Sequence, residues 1–148
     1  MNVYPKIFMA TLLAVFSLSS MSAASFASDQ PKKDEVTDYV QVYYFHATNR
    51  CKTCTTIEQY SREAVETFFK EQLDNRTVRF ELINYDKPDN RHYLQDYQLL
   101  YRSLVIVRYK DGKQAAFKNL EKIWQHKSNR DEFLNYVKTE MEAFLKEL

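Results

Sequence analysis

The sequence predicts one α/β domain, a mixed β-sheet flanked by helices in the order β-α-β-α-β-β-α. Three observations predict it. The apolar period switches between two and about three and a half along the chain. The only glycine, Gly112, follows Asp111 between two strand-like runs. Both cysteines, Cys51 and Cys54, stand three apart where the first strand pattern gives way to the first helix pattern.

The chain opens on a segment of another kind. Lys6 precedes an apolar run from Ile7, Phe8, Met9 and Ala10 through Leu12, Leu13, Ala14, Val15, Phe16 and Leu18, followed by the small residues Ser22, Ala23, Ala24, Ser25 and Ala27. One charge, a short apolar stretch and small residues at minus three and minus one fit a cleavable signal peptide over residues 1–27, cut after Ala27 or after Ala24. The run is shorter than the ~20 residues a membrane span needs, and Thr11, Ser17, Ser19 and Ser20 interrupt it. A periplasmic or secreted protein without stable membrane insertion is therefore expected. Residues 28–37 are polar and read as a mobile leader. The folded domain is then expected over residues 38–148, long enough for one core and too short for two.

Tyr39 to His46, YVQVYYFH, is dense in β-branched and aromatic residues with poor alternation, which predicts a strand buried on both faces. From Cys51 onward Ile57, Tyr60, Ala64, Val65, Phe68 and Phe69 recur at three and four, the stripe of an amphipathic helix reaching about Gln72. Asp74, Asn75 and Arg76 end it. Thr77 to Tyr85 sets Val78, Phe80 and Leu82 against Arg79 and Glu81, a second strand. Pro88 opens a short helix to about residue 98, with proline in the tolerated first turn.

Leu104, Val105, Ile106 and Val107 form the most β-like run of the chain and lead through Tyr109 to Lys110, Asp111, Gly112 and Lys113. Asp-Gly between such runs is a strong hairpin signal, with the glycine supplying a positive φ, and residues 114–119 form the returning strand. Past a polar loop, Ser128 and Asp131 have the spacing of a capping box, and Phe133, Leu134, Val137, Met141, Phe144, Leu145 and Leu148 mark a closing helix. Strands joined through helices are expected to run parallel and the Asp-Gly pair antiparallel, which makes the sheet mixed.

The formal net charge is +1, and the basic residues are dispersed along the chain. That balance gives nucleic acid or anionic lipid no long-range attraction, so both partner classes are set aside. A single glycine also excludes a Gly-rich phosphate cradle.

The cysteine pair remains as the chemistry-bearing feature: a redox disulfide, a metal clip or a structural staple. A staple across two residues removes little chain entropy, which weakens that reading. Positions i and i+3 share a helix face at a separation a disulfide accepts. Cys51 falls at the helix N-terminus, where unpaired N–H groups and the dipole favour a thiolate, and Arg50 and Lys52 add positive charge on either side. Cys51 is therefore the expected attacking sulfur and Cys54, one turn in, the resolving one. In the alternative, two thiolates capture a soft ion such as Cu(I) or a trivalent arsenic species, with His46 the only other soft ligand nearby. His92 and His126 lack the paired spacing of zinc sites, so no metal ligand set is expected. A redox-inactive docking domain is the third reading.

A first strand ending in a loop, C-x-x-C opening a long helix, then β, α, β, turn, β, α resembles the thioredoxin fold over roughly residues 38–148. At finer grain, VYYFHATNRCKTCTTIE, the leader, the Pro88 helix and SLVIVRYKDGK are similar to small exported bacterial proteins known as a nitrophenyl-compound nitroreductase subunit and encoded beside arsenic-resistance genes. This resemblance implies a thiol-disulfide oxidoreductase linked to arsenic or nitroaromatic resistance. It would act as a monomer on another protein's thiols or with a membrane electron donor, and need no cofactor beyond its own disulfide. Three positions depart from ordinary thioredoxins. Phe45 stands where they carry a buried carboxylate, Arg50 where they carry tryptophan, and Leu104 where they carry a cis-proline facing the disulfide. The fold would bring Ser103 and Leu104 against Cys51 and reshape the substrate groove; the competing reading is that the two simply begin a buried strand.

Overall fold

Alternation along the first strand, β1 (Tyr39–His46), builds the molecule, because it feeds two cores at once. Val40, Val42 and Tyr44 project into one apolar cluster and Tyr43 and Phe45 into another, so Val40 to Phe45 are all buried. This computed structural model describes residues 36–148. The expected signal peptide and leader residues 28–35 lie outside the described residues. Val36 and Thr37, assigned to the leader by composition, belong with the domain: the Val36 carbonyl accepts a hydrogen bond from Arg79 (2.9 Å) and the Thr37 carbonyl one from the Gly112 N–H (3.1 Å).

The remaining elements are α1 (Lys52–Phe68), α2 (Lys70–Asp74), β2 (Val78–Asn84), a 3-10 turn over Pro88–Asn90, α3 (Tyr93–Asp96), β3 (Ser103–Lys110), β4 (Lys113–Asn119), α4 (Ile123–His126) and α5 (Arg130–Leu145). The sheet order is β2-β1-β3-β4, with β1 and β2 parallel and the other two pairs antiparallel. Ile57, Ala64 and Val65 of α1 and Phe133, Val137 and Met141 of α5 cover one face, and Tyr97 and Leu99 of the β2–β3 connection cover the other. A mixed four-stranded sheet in this order, with the C-x-x-C helix following β1, is a thioredoxin-like fold.

One expectation about strand direction fails. β3 follows a helical connection yet runs antiparallel to β1, and so opposite to β2 as well. The connection contains only the 3-10 turn and the four-residue α3. A strand of eight residues spans ~26 Å, and helix at 1.5 Å per residue would need ~17 residues to return along it. The chain therefore stays at one pole: Asn84 ends β2 beside His46, and Ser103 starts β3 beside Phe45.

Helix boundaries shift for local reasons. The expected single helix to Gln72 divides at Phe69, whose backbone (φ −128°, ψ 29°) leaves the helical region while its N–H still bonds Val65 O at 3.0 Å. The break buries Phe69, while Phe68, the last residue of α1, stays half-buried against the same cluster. Asn129, not Ser128, caps α5, its side-chain oxygen accepting from Glu132 N at 3.3 Å. The polar loop before it contains α4, and α5 ends at Leu145, short of Leu148.

The Asp111-Gly112 turn closes β3 onto β4 with φ +51° and +71° at its two central residues, the twist-matched hairpin geometry. A Cβ on Gly112 would meet nothing within 4 Å. The cost of Gly112→Ala is therefore purely conformational, and the substitution is expected to remove about 1 kcal/mol of stability, read as a fall of a few degrees in Tm. An unchanged Tm would show that the turn readily takes another geometry.

Candidate functional site

At the pole where β1 ends, residues 47–50 descend into α1. Cys51 is the N-cap residue of that helix, extended (φ −90°, ψ 160°), with its Sγ accepting from the Cys54 N–H at 3.2 Å. Sulfur thus fills a place that Ser, Thr, Asp or Asn usually takes. No acidic residue lies in the first turn of α1 to oppose a negative charge there. The two cysteines form a disulfide with Cα atoms 5.1 Å apart. Cys51 is exposed, whereas Cys54 retains 4% of its exposure.

Long-range hydrogen bonds hold the loop. The Thr48 N–H donates to Asp86 Oδ2 (2.7 Å), and Asn84 Nδ2 donates to Thr48 Oγ1 (3.2 Å). That backbone N–H holds the Asp86 carboxyl below the usual carboxylate range. Arg102 Nη2 donates to Asn49 O at 2.7 Å, while the Arg102 carbonyl accepts from Trp124 Nε1 at 3.0 Å. Tyr101 packs edge-on against Trp124, with ring centroids 5.5 Å apart. The buried Arg102 Nε has no hydrogen-bond partner among the described residues.

Beneath the disulfide, the Tyr44 hydroxyl donates to the Cys54 carbonyl at 2.8 Å. Burial raises the Tyr44 pKa well above that of a free phenol; the Glu58 carboxylate raises it further, and the Arg50 and Arg102 guanidiniums oppose the rise. Tyr44 therefore remains a protonated donor at neutral pH and ties β1 to the first turn of α1.

The expected site residues differ in their surroundings. Arg50 does not stand as a free cation beside Cys51, because it forms an ion pair with Glu58 of α1. Lys52 is exposed, makes no ion pair among the described residues, and lines a shallow groove with Thr53, Thr56, Lys127 and Ser128. His46 sits half-buried at the end of β1, with Nδ1 3.0 Å from the Ala47 carbonyl. Ser103 and Leu104 begin β3 opposite Phe45 and Tyr44. Leu104 is enclosed in the core with Tyr44 and Ile57, and the Ser103 hydroxyl donates to Tyr101 O at 2.9 Å. All described peptide bonds are trans, that preceding Leu104 included. Phe45 packs among Tyr93 and Tyr97, with centroids 5.3 and 5.6 Å away, on the opposite side of the sheet.

Among the described residues no three His, Cys, Asp or Glu side chains are grouped to hold a metal ion, and no helix is long and apolar enough to cross a membrane. Glu58, Arg102, Asp86 and Tyr44 are site residues that sequence reasoning missed. Only Glu58 left a local signal, standing one helical turn after Cys54. The arrangement suits nucleophilic sulfur chemistry: an approachable sulfur at a helix N-terminus, and a sheltered one within bonding reach.

No protein-family model matches the chain, and no curated protein matches it. Among solved structures, the chain is similar to thioredoxin O2 from Arabidopsis thaliana in the oxidised state, at 16% identity and TM-score 0.40, over 65% of this chain and 76% of that one. It is similar to thioredoxin from Trypanosoma brucei brucei at 20% identity and TM-score 0.40, over 66% and 77% of the two chains. For a reduced thioredoxin of Schistosoma mansoni the values are 18% and 0.39, over 66% and 81%.

Proposed function

We propose that this chain is an exported thiol-disulfide oxidoreductase in which Cys51 attacks and Cys54 resolves. The observation that carries this reading is the asymmetry of the pair: Cys51 is exposed at the N-cap of α1, and Cys54 is buried one turn further in. In the reduced protein the Cys51 thiolate attacks one sulfur of a partner disulfide. A Cys51–partner bond forms, and the partner's other sulfur leaves as a thiolate that takes a proton from water. Cys54 then gives up its proton and attacks Cys51 Sγ, which releases the second partner sulfur as a thiol and restores the Cys51–Cys54 disulfide. The partner gains two electrons and the chain loses two.

Another protein's thiols, or a membrane electron donor, would re-reduce the pair. The expected signal peptide supports export, and the likeness of VYYFHATNRCKTCTTIE and SLVIVRYKDGK to the arsenic-linked proteins supports a role in arsenic or nitroaromatic resistance. The test is turnover of a disulfide-linked fluorogenic peptide by the reduced protein, with glutathione as the electron source. Acceleration over glutathione alone, with return of the Cys51–Cys54 disulfide in the peptide map, is expected. No acceleration, together with stoichiometric Cu(I) or arsenite retained through buffer exchange, would assign the pair to ion binding instead.

A further inference from the structure

Arg50 and Glu58 bracket the C-x-x-C turn: Arg50 directly precedes Cys51, and Glu58 stands one helical turn beyond Cys54. They form an ion pair in which the Glu58 side chain keeps 15% of its exposure and the Arg50 side chain 33%. No helix rule pairs them, since Arg50 lies outside α1 and must reach back along it. Tyr44, hydrogen-bonded to the Cys54 carbonyl, feels the charges of Glu58, Arg50 and Arg102 together. The ion pair therefore flanks the C-x-x-C turn, one partner adjoining Cys51 and the other one turn from Cys54.

A lone guanidinium beside Cys51 would stabilise a thiolate. A guanidinium neutralised by a carboxylate presents a dipole, and its field fades faster with distance. We propose that Glu58 is a positioning residue that withholds the Arg50 charge from the Cys51 sulfur, so that this ion pair sets how readily the Cys51–Cys54 disulfide is reduced. The proposal rests on the reading that the pair cycles between disulfide and dithiol. In that half-cycle a partner dithiol gives up two electrons and two protons and becomes a disulfide. The Cys51–Cys54 bond breaks; one proton goes to Cys54, the other to water, and Cys51 remains a thiolate. Whatever stabilises the thiolate favours the reduced state.

The other charged or titratable groups at this pole include Tyr44 and His46 from β1, Lys52 from α1, Tyr85, Asp86, Arg91, Tyr101 and Arg102 between β2 and β3, and Lys127 after α4. They are common to every variant compared below, so differences between variants report the ion pair. Glu58→Gln frees the Arg50 charge and is expected to lower the pH midpoint of Cys51 alkylation by about half to one unit, a three- to tenfold gain in thiolate below the midpoint. The equilibrium constant with glutathione is expected to move three- to tenfold toward the dithiol, about 15–30 mV. Arg50→Gln leaves Glu58 uncompensated and is expected to move both measurements the other way. The double variant is expected to return close to wild type.

The experiment is this cycle of four proteins, each checked for an unaltered far-UV spectrum and melt. Opposite shifts in the single variants with cancellation in the double support the proposal, because a merely structural role would move both singles in one direction. Unchanged midpoints, or shifts of the same sign, overturn it. Alkylation needs no partner, so its result is independent of disulfide turnover. Absence of turnover in the wild type would instead overturn the oxidoreductase reading.

Discussion

Cys51→Ser is expected to bring disulfide turnover down to the rate of the reductant alone, whereas Cys54→Ser is expected to stop after one event with the partner covalently attached to Cys51. The difference follows from where the two sulfurs sit. Without Cys51, the remaining thiol is buried, and its backbone carbonyl is tied to Tyr44 from below, so a partner disulfide has no line of approach. Without Cys54, the exposed sulfur at the N-cap of α1 still faces solvent, and the free N–H groups of the first turn still favour its thiolate. Attack proceeds, and nothing within reach resolves the product.

Non-reducing electrophoresis with a disulfide-bonded target protein distinguishes the two outcomes, as a dithiothreitol-sensitive band seen with Cys54→Ser and missing with Cys51→Ser. A pH profile adds an independent check. In the reduced protein, Cys51 alkylation is expected to lose its rate as pH falls through a midpoint below ~8.5, the free-thiol value. A midpoint at the free-thiol value, or a trapped band with Cys51→Ser, would reverse the assignment.

What was legible in the sequence is what short-range physics writes. The burial of β1 on both faces, the amphipathic stripe of α1 and the Asp111-Gly112 hairpin each depend on residues within about ten positions of one another, and each is recovered within a few residues. The exposed and buried cysteines are local too, since a helix start and a period of 3.6 place them. The supports of the site are not local. Thr48 meets Asp86 across 38 positions and Arg102 meets Asn49 across 53, and no pattern in one segment encodes a hydrogen bond to the other.

The direction of β3 departs from the sequence expectation for a related reason. A helix between strands predicts a return along the sheet, but the connection holds too little helix to make one. Arg50 shows how this affects chemistry. Its charge was visible and its neighbour Cys51 was visible, yet the Glu58 that neutralises it enters only once α1 is folded and the preceding loop lies along it.

Phe133→Ala is expected to remove about 3–5 kcal/mol of stability, a large share of the ~5–15 kcal/mol of a typical domain. Phe133 is fully buried on α5, with its ring 5.6 Å from that of Tyr60 on α1, and lies in the same cluster as Ile57, Val137 and Met141. Removing the ring takes away one of the contacts by which α5 packs on α1, and the surrounding rigid residues close the space only in part. With a urea m-value of ~1–3 kcal/mol/M, the midpoint should fall by about 1–5 M, while Asn135→Ala on the exposed side of the same helix stays within ~0.5 kcal/mol of wild type. A loss below about 1 kcal/mol for Phe133→Ala would contradict this packing of α5 on α1. The chemistry should respond differently from the stability. Thiolate character at Cys51 is set by the cap of α1 and by the charges at that pole, none of which touches Phe133. Below the new urea midpoint, the folded fraction of Phe133→Ala should therefore alkylate Cys51 with the wild-type pH midpoint even as its unfolding equilibrium shifts. A midpoint that moved together with stability would mean that the sulfur reads the packing of the whole helix and not its own terminus.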